Sequence, residues 1–225
     1  LDGGFFTLCV PGVCGTAPTE ILAHIMVAEE AHALGYPSLV WINFATEVDD
    51  ILTFGNEEQQ KAVLDYALQG IKPFTLGFTE PQAGSDSAAM ATTATKRDGK
   101  VYINGNKTFN TSADRAPFML CVCRSGINEN PYKDFSMYLF PMDRPGVTIE
   151  KLDKIGNNLC GTYEVHLDNV ECDETDLVGE ECQGFYPLLK NFAVERLPLC
   201  APTVGLARCA YDEAVRSAAE REPLG

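Results

Sequence analysis

Phe78-Thr79-Glu80-Pro81-Gln82-Ala83-Gly84-Ser85-Asp86 and, further along, Tyr102-Ile103-Asn104-Gly105-Asn106-Lys107-Thr108-Phe109-Asn110-Thr111 decide how this chain reads. The first stretch is a strand that Pro81 breaks, because proline has no N–H to give a ladder. Ala83-Gly84 then lets backbone approach a ligand closely. Ser85, Asp86 and Ser87 add hydroxyls and successive N–H groups, which suit a diphosphate or a pantetheine amide. The second stretch is a tight Asn104-Gly105 turn feeding a short strand, where Phe109 offers an aromatic wall beside polar Asn110, Thr111 and Ser112. Alone, the first is equally an ordinary polar loop and the second a core Phe followed by one. Together they read as one site for an anionic, flat-ringed cofactor.

Outward from these stretches the period of the hydrophobic residues changes twice. Before Pro73 it is helical: Ile21, Ile25 and Ala28 repeat at one spacing, and a second helix runs from Ser38 through Trp41, Phe44, Val48 and Ile51 to Gly55. Asn56 and Gln59 form a capping-box pattern for a third, which Gly70 stops. From there the period is two, predicting strands at Thr75–Thr79, Ala91–Lys96, Val101–Ile103, Lys107–Asn110, Phe118–Arg124, Phe135–Phe140, Val147–Leu152 and Tyr163–Leu167, with hairpin turns at Asp98-Gly99 and Asn104-Gly105. Helical spacing returns near Gly179. The expected class is a multi-domain α+β chain: an N-terminal helical part (1–74), a middle antiparallel β-barrel or sandwich (75–178) and the start of a C-terminal helical bundle (179–225).

Composition narrows the partners. A formal charge of −15 over 225 residues leaves no Lys/Arg cluster for nucleic acid. No G-x-G-x-x-G is present, which excludes a dinucleotide-binding βαβ unit. The nine cysteines include no C-x-x-C pair and no metal-ligand spacing, so no metal is expected. Cys121 and Cys123 share one face of a strand and read as small core residues. With no secretory signal and no membrane-length apolar run, the expected location is cytoplasmic. The chain starts without Met and stops inside a helical pattern, so it is expected to be part of a longer protein.

FTEPQAGSD followed by INGNKTFNT resembles the middle domain of the acyl-CoA dehydrogenase family, with its T-E-P-G-A-G-S-D and N-G-x-K-x-W-I-T motifs. Pro145-Gly146-Val147, Asp153-Lys154-Ile155-Gly156, Val178-Gly179-Glu180 and Gly184-Phe185 recur in the family's order, so the resemblance covers nearly the whole chain. It implies FAD as cofactor, with Leu76, Phe78, Thr79, Gly84 and Ser85 lining the flavin and Ser85 between FAD and acyl-CoA. Phe109, Asn110 and Thr111 would contact the isoalloxazine ring. Gln82 departs from the usual Gly, and Phe109-Asn110 from the usual Trp-Ile.

Phe185, Leu188, Phe192 and Glu195 share one helical face, so a carboxylate ends an apolar stripe. Loss of water there strengthens a carboxylate as a base. Without the resemblance, a surface Glu paired with Arg196 is the simpler reading. The resemblance of Val194-Glu195-Arg196-Leu197 to the E-R-L segment of the isovaleryl-CoA and long-chain branches, a segment shared with the crotonobetainyl-CoA reductase type, makes Glu195 the expected catalytic base; the alternative is a downstream Glu outside this chain, where most other branches of the family place theirs. Ala193, Val194, Glu195 and Arg196 would then line the thioester end of the substrate. Pro198 and Pro202 predict a kink just after it. Arg221 resembles the family arginine that reaches the FAD of a neighbouring subunit, implying a homo-oligomer, dimer or tetramer. The activity implied is FAD-dependent α,β-dehydrogenation of an acyl-CoA, as in fatty acid metabolism, with electrons passed to an electron-transfer flavoprotein. An enoyl-CoA reductase, an acyl-CoA oxidase and a non-catalytic CoA-binding relative share these motifs.

Overall fold

The structure, a computed structural model, describes residues 20–36 and 48–222. Two compact units are present: Leu1–Asp49 with Asn191–Gly225, and Asp50–Lys190. The boundaries read from the sequence follow the change of period, whereas these units follow packing.

In the first unit, α1 (Glu20–Ala33) meets the later part of a long C-terminal helix, α4 (Phe185–Glu220). Their contact is made of small residues. Ala28 and Ala201 are buried against each other with Ile25 packed alongside. One turn on, a Cβ on Gly205 would lie 2.0 Å from the Glu29 carbonyl oxygen and 3.0 Å from the Ala33 nitrogen. Arg208 pairs with Glu29 and Glu30 at the same crossing. Pro198 and Pro202 do not interrupt α4, which is helical throughout its 36 residues. Both rings are buried, but each removes one rung of the helix ladder.

The second unit opens within α2 (48–54), most of which it contains, and continues with α3 (Glu57–Ala67). The predicted start of α2 at Ser38 lies outside the described residues. The predicted capping box of α3 forms with both bonds present: the Gln59 N–H donates to Asn56 Oδ1 at 2.9 Å, and the Asn56 N–H to Gln59 Oε1 at 3.0 Å. Gln59 also ties this helix to the sheet by donating to the Thr175 and Leu177 carbonyls.

The sheet contains β1 (Phe74–Gly77), β2 (Thr93–Arg97), β3 (Lys100–Thr111), β4 (Phe118–Arg124), β5 (Phe135–Pro141), β6 (Val147–Lys151), β7 (Thr162–Cys172) and β8 (Leu177–Val178). Its order is β6-β7-β3-β2-β4-β5-β8, with β1 also on β4. It is an open, sandwich-like sheet, and a mixed one. β1 enters from α3 and runs parallel to β4, from Phe74 opposite Phe118 to Gly77 opposite Cys121. β2 meets β4 in parallel at Thr93 and Arg124. One core joins residues of β2, β3, β4, β5 and β7, among them Ile103, Met119, Cys121, Cys123, Phe140, Val165 and Val170. Cys121 and Cys123 are thus buried, unpaired core residues, as their spacing predicted.

Asp98-Gly99 forms the predicted two-residue turn, with Arg97 opposite Lys100 and positive φ at both central residues. Asn104-Gly105 does not form a turn. It lies inside the continuous strand β3, where β7 carries one extra residue between the partners of Ile103 and Gly105. Asn104 is spent on that irregularity, accepting the Asn169 N–H at 2.8 Å. An Asn-Gly pair signals a turn only when both flanking strands pair with each other, and here both pair with β7.

The crossing at Gly205 has no room for a methyl group. Gly205→Ala is expected to destabilise the folded protein by about 1–3 kcal/mol, measured by denaturant unfolding; an unchanged midpoint would mean that the two helices do not approach there.

Candidate functional site

The two opening motifs are joined by a buried ion pair. Lys107 continues the inward parity of Val101 and Ile103 along β3, which carries an ammonium group into the core. It is 0% exposed and Glu80 is 3% exposed. Lys107 Nζ donates to Glu80 Oε1 at 2.7 Å and to the Phe78 carbonyl at 3.2 Å. The rest of the Glu80 carboxylate is also occupied. Its Oε2 accepts the Ala91 N–H and the Gln82 amide, each at 2.6 Å, and its Oε1 accepts the Thr92 N–H at 3.0 Å. Burial alone would raise the Glu80 carboxyl, but the Lys107 ammonium and the Ala91 N–H outweigh it and hold the group below the ordinary carboxylate value.

This pair closes the base of a loop. Glu80 and Ala83 exchange backbone hydrogen bonds of 3.0 Å in both directions, so Pro81 and Gln82 form a tight reversal. Gln82, the departure from glycine, folds back onto Glu80. At the loop's far side Arg124 donates to the Ala88 and Met90 carbonyls at 2.9 and 3.3 Å, and pairs with buried Asp134. Both ends of the loop are therefore pinned while Gly84, Ser85 and Asp86 between them are exposed. A Cβ on Gly84 would meet no atom within 4 Å, so nothing in the chain itself demands glycine there.

Immediately beyond Lys107, β3 carries an extra residue relative to β7: Lys107 faces Val165, but Asn110 faces Tyr163. Such a bulge bends the strand and re-aims its side chains. Phe109 has φ +60°, a left-handed conformation that costs a non-glycine residue about 1–2 kcal/mol. The residue is 66% exposed. Thr111, two residues on, is half-buried, and its carbonyl accepts the Thr75 hydroxyl at 3.2 Å. Asn110 between them points inward: it is fully buried and donates to the Tyr163 carbonyl at 3.2 Å. Asn110 therefore offers the outer face its backbone rather than its amide.

The remaining predicted residues divide between the units. Leu76, Phe78 and Thr79 are half-buried, and the Thr108 N–H donates to the Thr79 carbonyl at 2.8 Å, joining the two motifs a second time. Phe78 stacks with Phe185, ring centroids 6.3 Å apart, and Tyr132 and Phe135 also pack on Phe185. The other candidates lie in α4 or just after it, in the other unit. Along α4, Phe185 and Leu188 are buried while Phe192 and Glu195 are half-buried, which follows the predicted stripe. Ala193 and Arg196 are exposed, Val194 lies in the helix backbone between them, and Arg221 is exposed just beyond the helix end.

Glu80 and Lys107 stand inside the two sequence motifs and Arg124 at the end of β4, but no local pattern in the sequence ties the three to the loop. The signal was available in part. A lysine at inward parity requires buried acceptors, and a carboxylate that is itself buried is the one that also balances its charge.

The N-terminal and middle domains of acyl-CoA dehydrogenase match residues 1–70 and 75–170. A probable acyl-CoA dehydrogenase of Escherichia coli K12, YdiO, is 38% identical over all of this chain and 58% of its own length. A probable acyl-CoA dehydrogenase of Mycobacterium abscessus superposes with a TM-score of 0.83 at 30% identity, covering 91% of this chain and 55% of that one. A glutaryl-coenzyme A dehydrogenase in complex with glutaryl-CoA superposes with a TM-score of 0.86 at 27% identity, covering 99% and 57%. The two domain matches and these likenesses give the class of the chain, an acyl-CoA oxidoreductase fold with the loop and the bulged strand inside its middle domain. The chain belongs to the acyl-CoA dehydrogenase family, whose members are oxidoreductases. It spans 58% of the curated relative it matches.

Family members are flavoproteins, generally with FAD, and the residues present fit that cofactor. An exposed, left-handed Phe109 supplies an unused aromatic face, and Gly84 opens onto space that no side chain fills. Among the described residues no His/Cys/Asp/Glu group could hold a metal ion.

If Phe109 is kept for a ligand rather than for the core, Phe109→Asn, which suits the left-handed conformation better, leaves the unfolding free energy unchanged or raises it by up to about 1 kcal/mol. A loss above about 2 kcal/mol in chemical unfolding would instead identify the ring as core. The lowered Glu80 carboxyl adds stability that is complete above the unfolded-state value and is lost as pH falls through the folded one. Between about pH 5 and pH 3, Glu80→Gln should therefore lose stability less steeply than the parent protein; equal slopes in unfolding titrations would argue against a charged pair.

Proposed function

We propose that this chain provides the flavin-facing part of an FAD-dependent acyl-CoA dehydrogenase that introduces an α,β double bond into an acyl-CoA thioester. The observation that carries the reading is Phe109, an exposed aromatic held at positive φ on a bulge directly after a buried ion pair. Strain of this kind persists where a site uses it. Likeness to a glutaryl-CoA complex supports an acyl-CoA as substrate.

In this reading Phe109 stacks on the isoalloxazine, with Thr79 and Thr111 beside it as hydrogen-bonding edge groups and Leu76 and Phe78 behind. The backbone of Asn110 passes along the same edge. Gly84 and Ser85 lie where ligand must approach the loop, Ser85 facing both FAD and the acyl-CoA. When bound, FAD supplies the two-electron acceptor for the hydrogen that leaves Cβ as hydride. Glu195, a half-buried residue at the end of the Phe185, Leu188 and Phe192 stripe, takes the α proton. Ala193, Val194 and Arg196 border the thioester. Backbone N–H groups polarise the thioester carbonyl and so acidify the α proton. Arg221 reaches the FAD diphosphate of a second copy in a homo-oligomer, a dimer or tetramer, and an electron-transfer flavoprotein accepts the electrons. A cytoplasmic location suits the free cysteines of the described residues, and no described helix is long and apolar enough to cross a membrane.

Glu195→Gln tests the assignment in the full-length protein. FAD should remain bound, while bleaching of the flavin by butyryl-CoA or palmitoyl-CoA should slow by ~10²–10⁴-fold. Bleaching at the parent rate would place the base on another residue.

A further inference from the structure

We propose that Glu80 and Lys107 are positioning residues: their buried ion pair sets the spacing between the Phe78–Thr79 edge and the Phe109 bulge, and thereby the shape of the flavin face. The proposal rests on the functional reading above and concerns two residues to which that reading gives no role.

Four features point to positioning rather than to stability alone. Lys107 Nζ reaches both Glu80 Oε1 at 2.7 Å and the Phe78 carbonyl at 3.2 Å, so one cation holds the segment on either side of Thr79. The same lysine is the last regular partner of β7 before the bulge, which begins with the next residues. The Thr108 N–H to Thr79 carbonyl bond, 2.8 Å, lies directly beside it. Finally, Glu80 gathers both ends of the 80–92 loop, through the Gln82 amide at one end and the Ala91 and Thr92 N–H groups at the other. A single carboxylate thus links three stretches of chain that contribute to the proposed site.

Energetics favours the same view. A fully buried ion pair is poor as a source of net stability, because desolvation of both groups cancels most of their attraction. Apolar or neutral groups of similar volume hold a core about as well, but they do not fix a carbonyl, two N–H groups and an ammonium at hydrogen-bond length. Removal of one partner alone strands a buried charge and damages the fold whatever the pair's role. Removal of both separates the two roles.

The test uses the full-length protein and the double substitution Glu80→Gln with Lys107→Met. The double variant should still fold, with a thermal unfolding midpoint lowered by the N–H and carbonyl groups that lose a partner. Its FAD dissociation constant should nonetheless rise by about tenfold or more, the scale of misplaced contacts in a preorganised site. The visible spectrum and midpoint potential of the FAD that does bind should shift. Parent-like FAD affinity, spectrum and potential in the double variant would overturn the proposal, whatever happens to stability. If the double variant fails to fold, Glu80→Asp decides the matter on the same readouts, because it keeps the charge but is one methylene too short to span its donors. Parent-like FAD binding in Glu80→Asp would overturn the proposal too. A parent protein that takes up no FAD at all would instead overturn the functional reading, and this proposal with it.

Discussion

A carboxylate and an ammonium group with no water around them require partners of fixed position, and in this protein that requirement organises the middle unit. Glu80 is met by Lys107, by two backbone N–H groups and by the Gln82 amide. Those donors come from three separate stretches: the near end of the 80–92 loop, its far end and the middle of β3. The loop can then expose Gly84, Ser85 and Asp86 without losing its shape, because Arg124 fixes its far limb from the other side. The open part of the loop stays exposed while both of its limbs are anchored.

The bulge after Lys107 follows the same logic on the scale of one residue. In a regular strand every second side chain faces the core. One extra residue between Lys107 and Asn110 lets buried Lys107 and buried Asn110 both face inward while Phe109 is expelled outward. The price is a left-handed phenylalanine. Packing of Asn110 against the Tyr163 carbonyl secures the inward residue and so holds the outward one in place.

In the helical unit the limiting constraint is steric. Ala28, Ala201 and Gly205 let α1 and α4 approach so closely that a Glu29 carbonyl occupies the space a β-carbon would need. Two prolines in α4 are accommodated because the helix that contains them is packed rather than isolated; both rings are buried. The expected kink was drawn from the missing N–H groups alone. Helical conformation continues through both prolines.

Much of this was legible in the sequence because local chemistry dictated it. The Asn56–Gln59 box, the Asp98-Gly99 turn, the strand Phe118–Arg124 and the apolar stripe ending at Glu195 depend on neighbours within a few residues. Motif order was legible too, because the FTEPQAGSD and INGNKTFNT stretches lie in the chain as contiguous runs. Three things needed the tertiary structure. Asn104-Gly105 became the middle of a strand because β7 paired on both sides of it. β1 joined β4 in parallel, which made the sheet mixed. Asn110 turned inward because a bulge reset the parity, and no local pattern announces a bulge. The partner of Lys107 is 27 residues away in the chain. Sequence by itself determined which elements form and which chemistry they carry; only long-range packing decided which charges are buried together and which side chains remain for a ligand, since desolvation acts on what meets in space rather than on what adjoins in sequence.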